Sequence, residues 1–419
     1  MVSLPNTTLD CESVDVVICG GGPAGLCAGI LLARRGLRTV VYEARTYPVD
    51  KVCGQGIMPT GVSNLQRIGI DAYLSHDDIT PFRGITYHAD SGDRAAADFA
   101  EGHGWGIKRT ALSTALRDCA RDTEGLSLRP GTSITGFGYV SDRVVVTTSN
   151  EEQVAATLLI GADGLNSKIR RWCGLDGQAG PFRRWGTRQH YKMEPWNDHV
   201  EIFWSDGIEA YVTPCNANLV EVAFLWDQSR NPGFRGGRPM IESFWERFPS
   251  LRHRVQPRSC IDDMLTVGPL HRRSIAPVAR GVVLLGDAAG YLDAITGEGI
   301  SLATSQALLI DHIVGPVLQS RRTRYLSAQE LESYHLAYRR LVRPYQILTN
   351  IALFLSRHPR LAERTIRTLA RHPNVFQSLL SANMGLIPCA SHIMRGAATL
   401  VSGILMDPET VGADKRSTT

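Results

Sequence analysis

VDVVICGGGPAGLCAGILLARRGLRTVVYEAR, Val14 to Arg45, sets a strand, a glycine turn, a helix and a second strand end to end. Val16, Val17 and Ile18 form the apolar run of a buried strand. Gly20, Gly22 and Gly25 follow it as G-x-G-x-x-G, with Ala24 inside the motif. Leu26, Ile30 and Leu31 then recur at helical spacing, Gly36 and Leu37 break the helix, and RTVVYE reads as the next strand. That strand ends in Glu43, 23 residues after Gly20.

The order has a physical meaning. Gly20 permits a tight turn, Gly22 lets backbone approach a pyrophosphate, and Gly25 allows close helix–strand packing. The helix start offers free N–H groups and partial positive charge to phosphates. Glu43 can accept hydrogen bonds from ribose hydroxyls and disfavours a 2′-phosphate, so the site suits FAD or NAD.

The same grammar recurs downstream. In ATLLIGADGLNSKIRR, Leu158 to Ile160 end a strand, Asp163 and Gly164 turn, and Ser167 can cap a helix carrying Arg170; Asp163 by itself is also a plain turn-forming residue. GVVLL runs into GDAAGYLDAITGEGIS, where Asp287 ends a strand and Gly297, Gly299 and Ile300 open an apolar helix. In GWGIKRTALSTALRDCA, Arg109 stands just before a helix with Thr110 as its cap and Leu112, Ala115, Leu116 and Cys119 as its buried stripe. A cation at a helix start opposes the dipole unless an anion sits between them.

Composition narrows the class. The 419 residues are 43% hydrophobic and 21% charged, with a formal net charge of +4. That is enough chain for two lobes, and without a dense basic block no nucleic-acid partner is expected. Nine scattered cysteines without a C-x-x-C pair suit reduced thiols in a cytoplasmic enzyme. The polar start MVSLPNTTLDCES does not read as a signal peptide. No apolar stretch reaches membrane-spanning length, so no transmembrane segment is expected. No metal-ligand spacing shows among the 12 histidines, so no metal is expected.

Together the ordered motifs, G-x-G-x-x-G with Glu43, R-x-x-L at Arg109, GADGxxSxxR at Asp163 and GD at Asp287, resemble the FAD-dependent aromatic hydroxylase-like flavoproteins. KVCGQGIMPTGVSNLQRIGI (51–70) and GDAAGYLDAITGEGIS look most like the geranylgeranyl-reductase-related branch of that superfamily. The likeness covers roughly residues 14–310. It implies an α/β fold: a discontinuous Rossmann-like FAD-binding domain with a parallel sheet (1–75, 101–180 and 275–345), an antiparallel substrate domain (76–100 and 181–274) and a helical C-terminal region (346–419).

The resemblance also implies roles. Asp287 would hold a ribityl hydroxyl of non-covalent FAD, and the helix from Gly299 would point its N-terminus at the flavin. Gly297 and Gly299 would leave room for the ring, and Asp163 would lie near the pyrophosphate and a transient NAD(P)H donor. Two positions depart from the hydroxylases, Ala294 for their usual proline and Gly290 for a frequent histidine, and the second favours the reductase branch. The halogenase Trp-x-Trp-x-Ile signature is missing, so halogenation is not expected. Rab escort-like binding proteins share the fold without redox chemistry, but Glu43, Asp163 and Asp287 argue for bound FAD.

The leading expectation is an NAD(P)H-dependent monooxygenase using O2 through a C4a-hydroperoxyflavin on a hydrophobic small molecule. The alternative is an alkene or prenyl reductase. No catalytic side chain stands out. Cys53 reads as a small loop residue between two glycine turns, ahead of a flavin-facing thiol or a covalent flavin link. DHVEIFW, GIEAYVT and LVEVAFLW read as strands of a substrate floor, and RGITYHAD with AAADFA as a hairpin. Tyr211 and Thr213 share one face of that floor; Ala210 and Val212 share the other. In the tail, Leu361, Ile366 and Leu369 form a helical stripe between Pro359 and Pro373, and LIPCASHIMRGAATLVSGILM (386–406) suits packing over the cavity, homodimer formation or contact with a membrane surface.

Overall fold

The computed structural model describes residues 11–386, apart from 179, 181–182, 232–237 and 257–259. Expectations for the N-terminal leader, for 387–406, for Cys389 and for the last dozen residues lie outside the described residues.

Val16, Val17 and Ile18 are fully buried in β1 (Glu12–Cys19). This strand lies inside an eight-stranded sheet, beside β2 (Thr39–Glu43) on one edge and β11 (Gln153–Gly161) on the other. β8 (Leu126–Pro130) extends the sheet beyond β2, and β18 (Val282–Leu284) extends it beyond β11, all parallel. These strands are apolar without alternation because both faces of a parallel sheet are covered. Antiparallel β9 (Ile134–Val140), β10 (Arg143–Thr148) and β17 (Val278–Ala279) complete it. Helix α1 (Pro23–Arg34) packs against α3 (Arg109–Arg121) and α7 (Gly299–Leu309) over this sheet. Helix α2 (Pro59–Ile68) packs on α7.

The second sheet has seven strands: β5 (Gly84–Ala89), β6 (Arg94–Asp98), β12 (Arg184–Lys192), β13 (His199–Ser205), β14 (Ile208–Asn216), β15 (Leu219–Asp227) and β16 (Leu265–Val267). It is antiparallel except where β13 pairs parallel with β5. The three strands and the hairpin expected from sequence are all present. β12 was not expected: its inward side chains are Arg184, Arg188 and His190, so its alternation runs polar-in. One face, with Ala210, Val212, Val222 and Phe224, packs on Phe244, Trp245 and Leu251 of α5 (Arg238–Arg247) and α6 (Pro249–Val255). The other face carries Ile85, Val200, Ile202 and Leu225.

A short sheet of β3 (Gly56–Ile57), β4 (Ile79–Phe82) and β7 (Gly104–Ile107) bridges the two. Helix α4 (Lys168–Trp172) follows β11 and α8 (Gly315–Ser320) follows α7. Then come α9 (Glu332–Ser356), α10 (Pro359–Arg371) and α11 (Pro373–Asn383). Ile366 and Leu369 of α10 are buried, as their spacing suggested, and α10 packs on β5 and β6.

Two local expectations change. Helix α3 begins at Arg109 with Lys108 at its N-cap, so Thr110 is helical and does not cap it. The helical run Gly299–Ser320 is long and apolar enough to span a membrane by composition, against the expectation of no such stretch; half of it is buried against the core.

Candidate active site

The carboxyl ends of the parallel strands β1, β2, β11 and β18 open on one cleft, the usual ligand crevice of such sheets. Gly20 adopts φ +107°, and a Cβ there would strike the Ala162 carbonyl oxygen at 2.4 Å. Gly25 sits so close beneath it that a Cβ would lie 1.9 Å from the Gly20 oxygen. At Gly22 the opposite holds: none of the described residues lies within 4 Å of a Cβ there, and the helix start is open.

Glu43 is fixed from both sides. One oxygen accepts the Gly21 N–H at 2.8 Å and the other the Arg45 N–H at 3.0 Å. Tyr47, unnoticed in the sequence, donates its hydroxyl to the Gly21 carbonyl at 2.9 Å. Arg109 is 7% exposed and lines the cleft, yet its Nε and Nη1 have no hydrogen-bond partner among the described residues. A buried guanidinium with two idle donors calls for an anionic acceptor.

Asp163 borders the cleft but is spoken for. Its oxygens accept from Ser167 Oγ at 2.5 Å, Lys168 N at 2.6 Å and Ile169 N at 3.2 Å. It caps α4 together with Ser167, which accepts the Arg170 N–H at 2.9 Å. The plain turn role of Asp163 is therefore realised. Arg170, 1% exposed, links this motif to the next by donating to the carbonyls of Ala288 and Leu165, both at 3.0 Å.

Asp287 emerges beyond β18 into the cleft and meets Lys51 Nζ at 2.8 Å. The lysine belongs to KVCGQGI, 236 residues away, and only the tertiary fold could reveal the pair. From there the chain loops through 290–298 to α7. Gly297 adopts φ +69° with nothing within 4 Å of a Cβ, and Gly299 has only the Tyr291 ring at 3.8 Å. Glycine at 297 thus answers a backbone demand as well as leaving space. Ala24 and Ile300 border the same cleft. The loop is held from outside: Tyr338 donates to Ala289 O, Tyr345 to Asp293 O and Tyr211 to Ile295 O, at 3.0, 2.8 and 2.9 Å.

Beyond Asp287 the cleft widens into a chamber floored by the second sheet; the joint cavity is about 510 Å³. Its walls include Phe82, Ile85, Val200, Ile202, Leu225 and Leu270. Tyr211 and Thr213 face this space, while Ala210 and Val212 pack on the far side. Cys53 also borders it, at the junction with the cleft. Burial pushes the Cys53 thiol up, and the charges of Arg109 and Lys51 only partly oppose this, so it stays protonated at neutral pH. Its Sγ lies 3.0 Å from the Gly54 carbonyl.

Gly20, Gly22, Ala24, Glu43, Arg109, Asp163, Asp287, Gly297, Gly299 and Ile300 therefore border one cleft, with Gly25 buttressing it from beneath. The open helix starts, the idle guanidinium and the glycine-lined path suit an extended, phosphate-bearing cofactor.

Comparison with known proteins agrees. The chain is 29% identical over 308 residues to the menaquinone reductase of Mycobacterium tuberculosis (strain ATCC 25618 / H37Rv), covering 69% of this chain and 73% of that one. It is 27% identical over 328 residues to the digeranylgeranylglycerophospholipid reductase of Methanothrix thermoacetophila, covering 74% and 79%. Among solved structures, a flavoprotein/dehydrogenase from Cytophaga hutchinsonii superposes with a TM-score of 0.80 at 17% identity, over 93% of this chain and 100% of that one, a likeness of fold. A family model described as "FAD binding domain" matches residues 13–342, so the chain belongs to that family of FAD-dependent oxidoreductases.

Proposed function

We propose that the chain saturates a carbon–carbon double bond in the isoprenoid tail of a lipid-soluble substrate, using FAD that a visiting NAD(P)H reduces. In this reading the segments 1–75, 101–180 and 275–345 hold the cofactor. The 76–100 and 181–274 segments floor the substrate chamber, and the region from 346 closes it.

The observation that carries the proposal is the meeting of an apolar chamber and a neutral thiol at the end of the cofactor cleft. The 27–29% identical relatives support it: a menaquinone and a digeranylgeranyl lipid differ in their heads and share an isoprenoid chain.

Arg109 and the α1 start would hold the FAD pyrophosphate, Glu43 its adenosine ribose, Asp287 its ribityl chain, and the α7 start its flavin edge. Bound there, FAD supplies a hydride equivalent. The chain's own residues do the rest. The apolar walls exclude water and align the alkene. Cys53 delivers a proton to the second alkene carbon: its S–H bond breaks as a C–H bond forms. The nearby Lys51 ammonium steadies the resulting thiolate until water reprotonates it. Hydride plus proton add two hydrogens, and no oxygen enters the product.

Oxygen transfer, the first expectation from sequence, would use the same dry chamber. Anaerobic turnover of a short-chain prenylated naphthoquinone decides between them. A product gaining two hydrogens, with one deuterium from D2O, is expected. A product formed only in air and carrying one atom of ¹⁸O2 would refute the reductase reading.

A further inference from the structure

Where the loop carrying Cys53 rests on the second sheet, a cluster of acceptor atoms lies under it, unused by the proposed reaction. His190 of β12 sits opposite Glu221 of β15 in register. The pairing of β14 with β15 slips between Pro214 and Asn216, leaving Cys215 as the extra residue. Such a bulge re-aims a side chain. The three are 4%, 1% and 1% exposed. One ligand atom from each, a His190 ring nitrogen, Cys215 Sγ and a Glu221 oxygen, lie within 4.8 Å of one another.

The hydrogen bonds around them leave a specific gap. Asp262 takes the His190 Nδ1 proton at 2.5 Å and the His190 backbone N–H at 2.8 Å. That fixes the tautomer and turns the Nε2 lone pair toward the cluster, the arrangement carboxylates impose on metal-bound histidines. Nε2 then faces another acceptor, Gln55 Oε1, at 3.0 Å, and Cys215 Sγ lies 3.5 Å from that same oxygen. Glu221 Oε2 accepts the Gln55 N–H at 3.0 Å, while its fully buried Oε1 has no partner among the described residues. The neighbouring Arg188 guanidinium is matched by Asp50 and Asp262.

We propose that His190, Cys215 and Glu221 bind a zinc ion that ties β12, β14 and β15 together beneath the Cys53 loop. Nitrogen, sulfur and carboxylate donors in one small set are the chemistry of zinc. The thiolate and the carboxylate would together neutralise the charge of the zinc. With Gln55 Oε1, already beside His190 Nε2 and Cys215 Sγ, as the fourth donor, the ion would be structural. It contacts neither the cofactor cleft nor the alkene, and the proposal stands whichever reaction the flavin performs.

The experiment measures zinc per FAD by elemental analysis on flavin-loaded protein purified without chelator. A zinc K-edge absorption spectrum follows. One zinc per flavin is expected, with one sulfur neighbour at ~2.3 Å and nitrogen or oxygen neighbours at ~2.0–2.2 Å. Cys215→Ser and His190→Gln should lose the metal while retaining bound flavin. Cys260→Ser, at an exposed cysteine, should keep it.

The alternative is a metal-free proton network in which the Gln55 amide is turned over to donate to His190 Nε2. Flavin-loaded protein with no zinc and no thermal shift on zinc addition would establish that network and overturn the proposal. So would metal that Cys260→Ser removes and Cys215→Ser retains. If a variant loses flavin as well, the absorption spectrum of the unmutated protein decides alone.

Discussion

Replacing Arg109 by methionine should move the stability of the empty and the FAD-loaded protein in opposite directions. The guanidinium is 7% exposed, and two of its nitrogens have no partner among the described residues. Each buried idle donor costs about 1–3 kcal/mol. Arg109 also opens α3, where a positive charge opposes the helix dipole by about 0.3–1 kcal/mol. Methionine fills similar volume without either burden. The empty protein should therefore gain on the order of 2 kcal/mol. In the loaded protein the same donors meet the pyrophosphate, and a hydrogen bond to a charged group contributes about 1.5–3 kcal/mol. FAD affinity should fall about 10- to 100-fold, or further if both donors engage. Titration calorimetry gives the affinity, and urea unfolding of flavin-stripped and flavin-saturated protein gives the two stabilities. If Arg109→Met weakens the empty protein as well, the arginine is a scaffold residue and its idle donors are met by water; unchanged FAD affinity would remove it from the cofactor site.

Three further outcomes are expected. Asp287→Ala should lower FAD affinity about 10- to 100-fold and leave Lys51 without its partner, read by flavin fluorescence titration. Cys53→Ala should slow product formation about 100-fold or more, while reduction of the flavin by NAD(P)H proceeds at its usual rate in stopped flow; equal loss in both steps would mean that Cys53 only shapes the site. Burial holds the Glu298 carboxyl up to about 8 from its ordinary 4.5, so between those values the folded protein binds the extra proton and stability falls as pH rises. Glu298→Gln should flatten that slope and, above pH 8, add up to about 5 kcal/mol in urea unfolding.

What the sequence made legible was local. The β1–α1–β2 segment could be read because strand, glycines, helix and acid follow within one short stretch. Asp287 could be placed because it follows the apolar run GVVLL by two residues. β12 escaped because Arg184, Arg188 and His190 face inward, where alternation leads one to look for apolar side chains. Arg184 is held there by Glu209 at 2.6 Å and Asp293 at 3.1 Å, partners on a strand and a loop that no local pattern links to it. Lys51 and Cys53 stood in a motif that was noticed, but their meaning depends on Asp287 arriving from the far end of the chain. The helix boundary moved by two residues, from a cap at Thr110 to one at Lys108, because the sequence offered a hydroxyl at Thr110 while the chain turned into its helix earlier.

The strand order of the cofactor sheet has a consequence for the nascent chain. β1 pairs with β2 soon after both are made, but its other edge waits for Leu158, Leu159 and Ile160 of β11, and β11 in turn waits for Val282 and Val283. During synthesis these apolar strands therefore stand with unpaired edges while more than a hundred residues are added. Such long-range parallel pairing is slow and exposed to aggregation. Asp287, one end of the cofactor cleft, leaves the ribosome last among its acidic groups, so FAD can grip the finished cleft only after β18 has been made. Yield in a cell should then depend on chaperone supply during elongation more than on flavin supply, and slowing translation ahead of β11 should lower it.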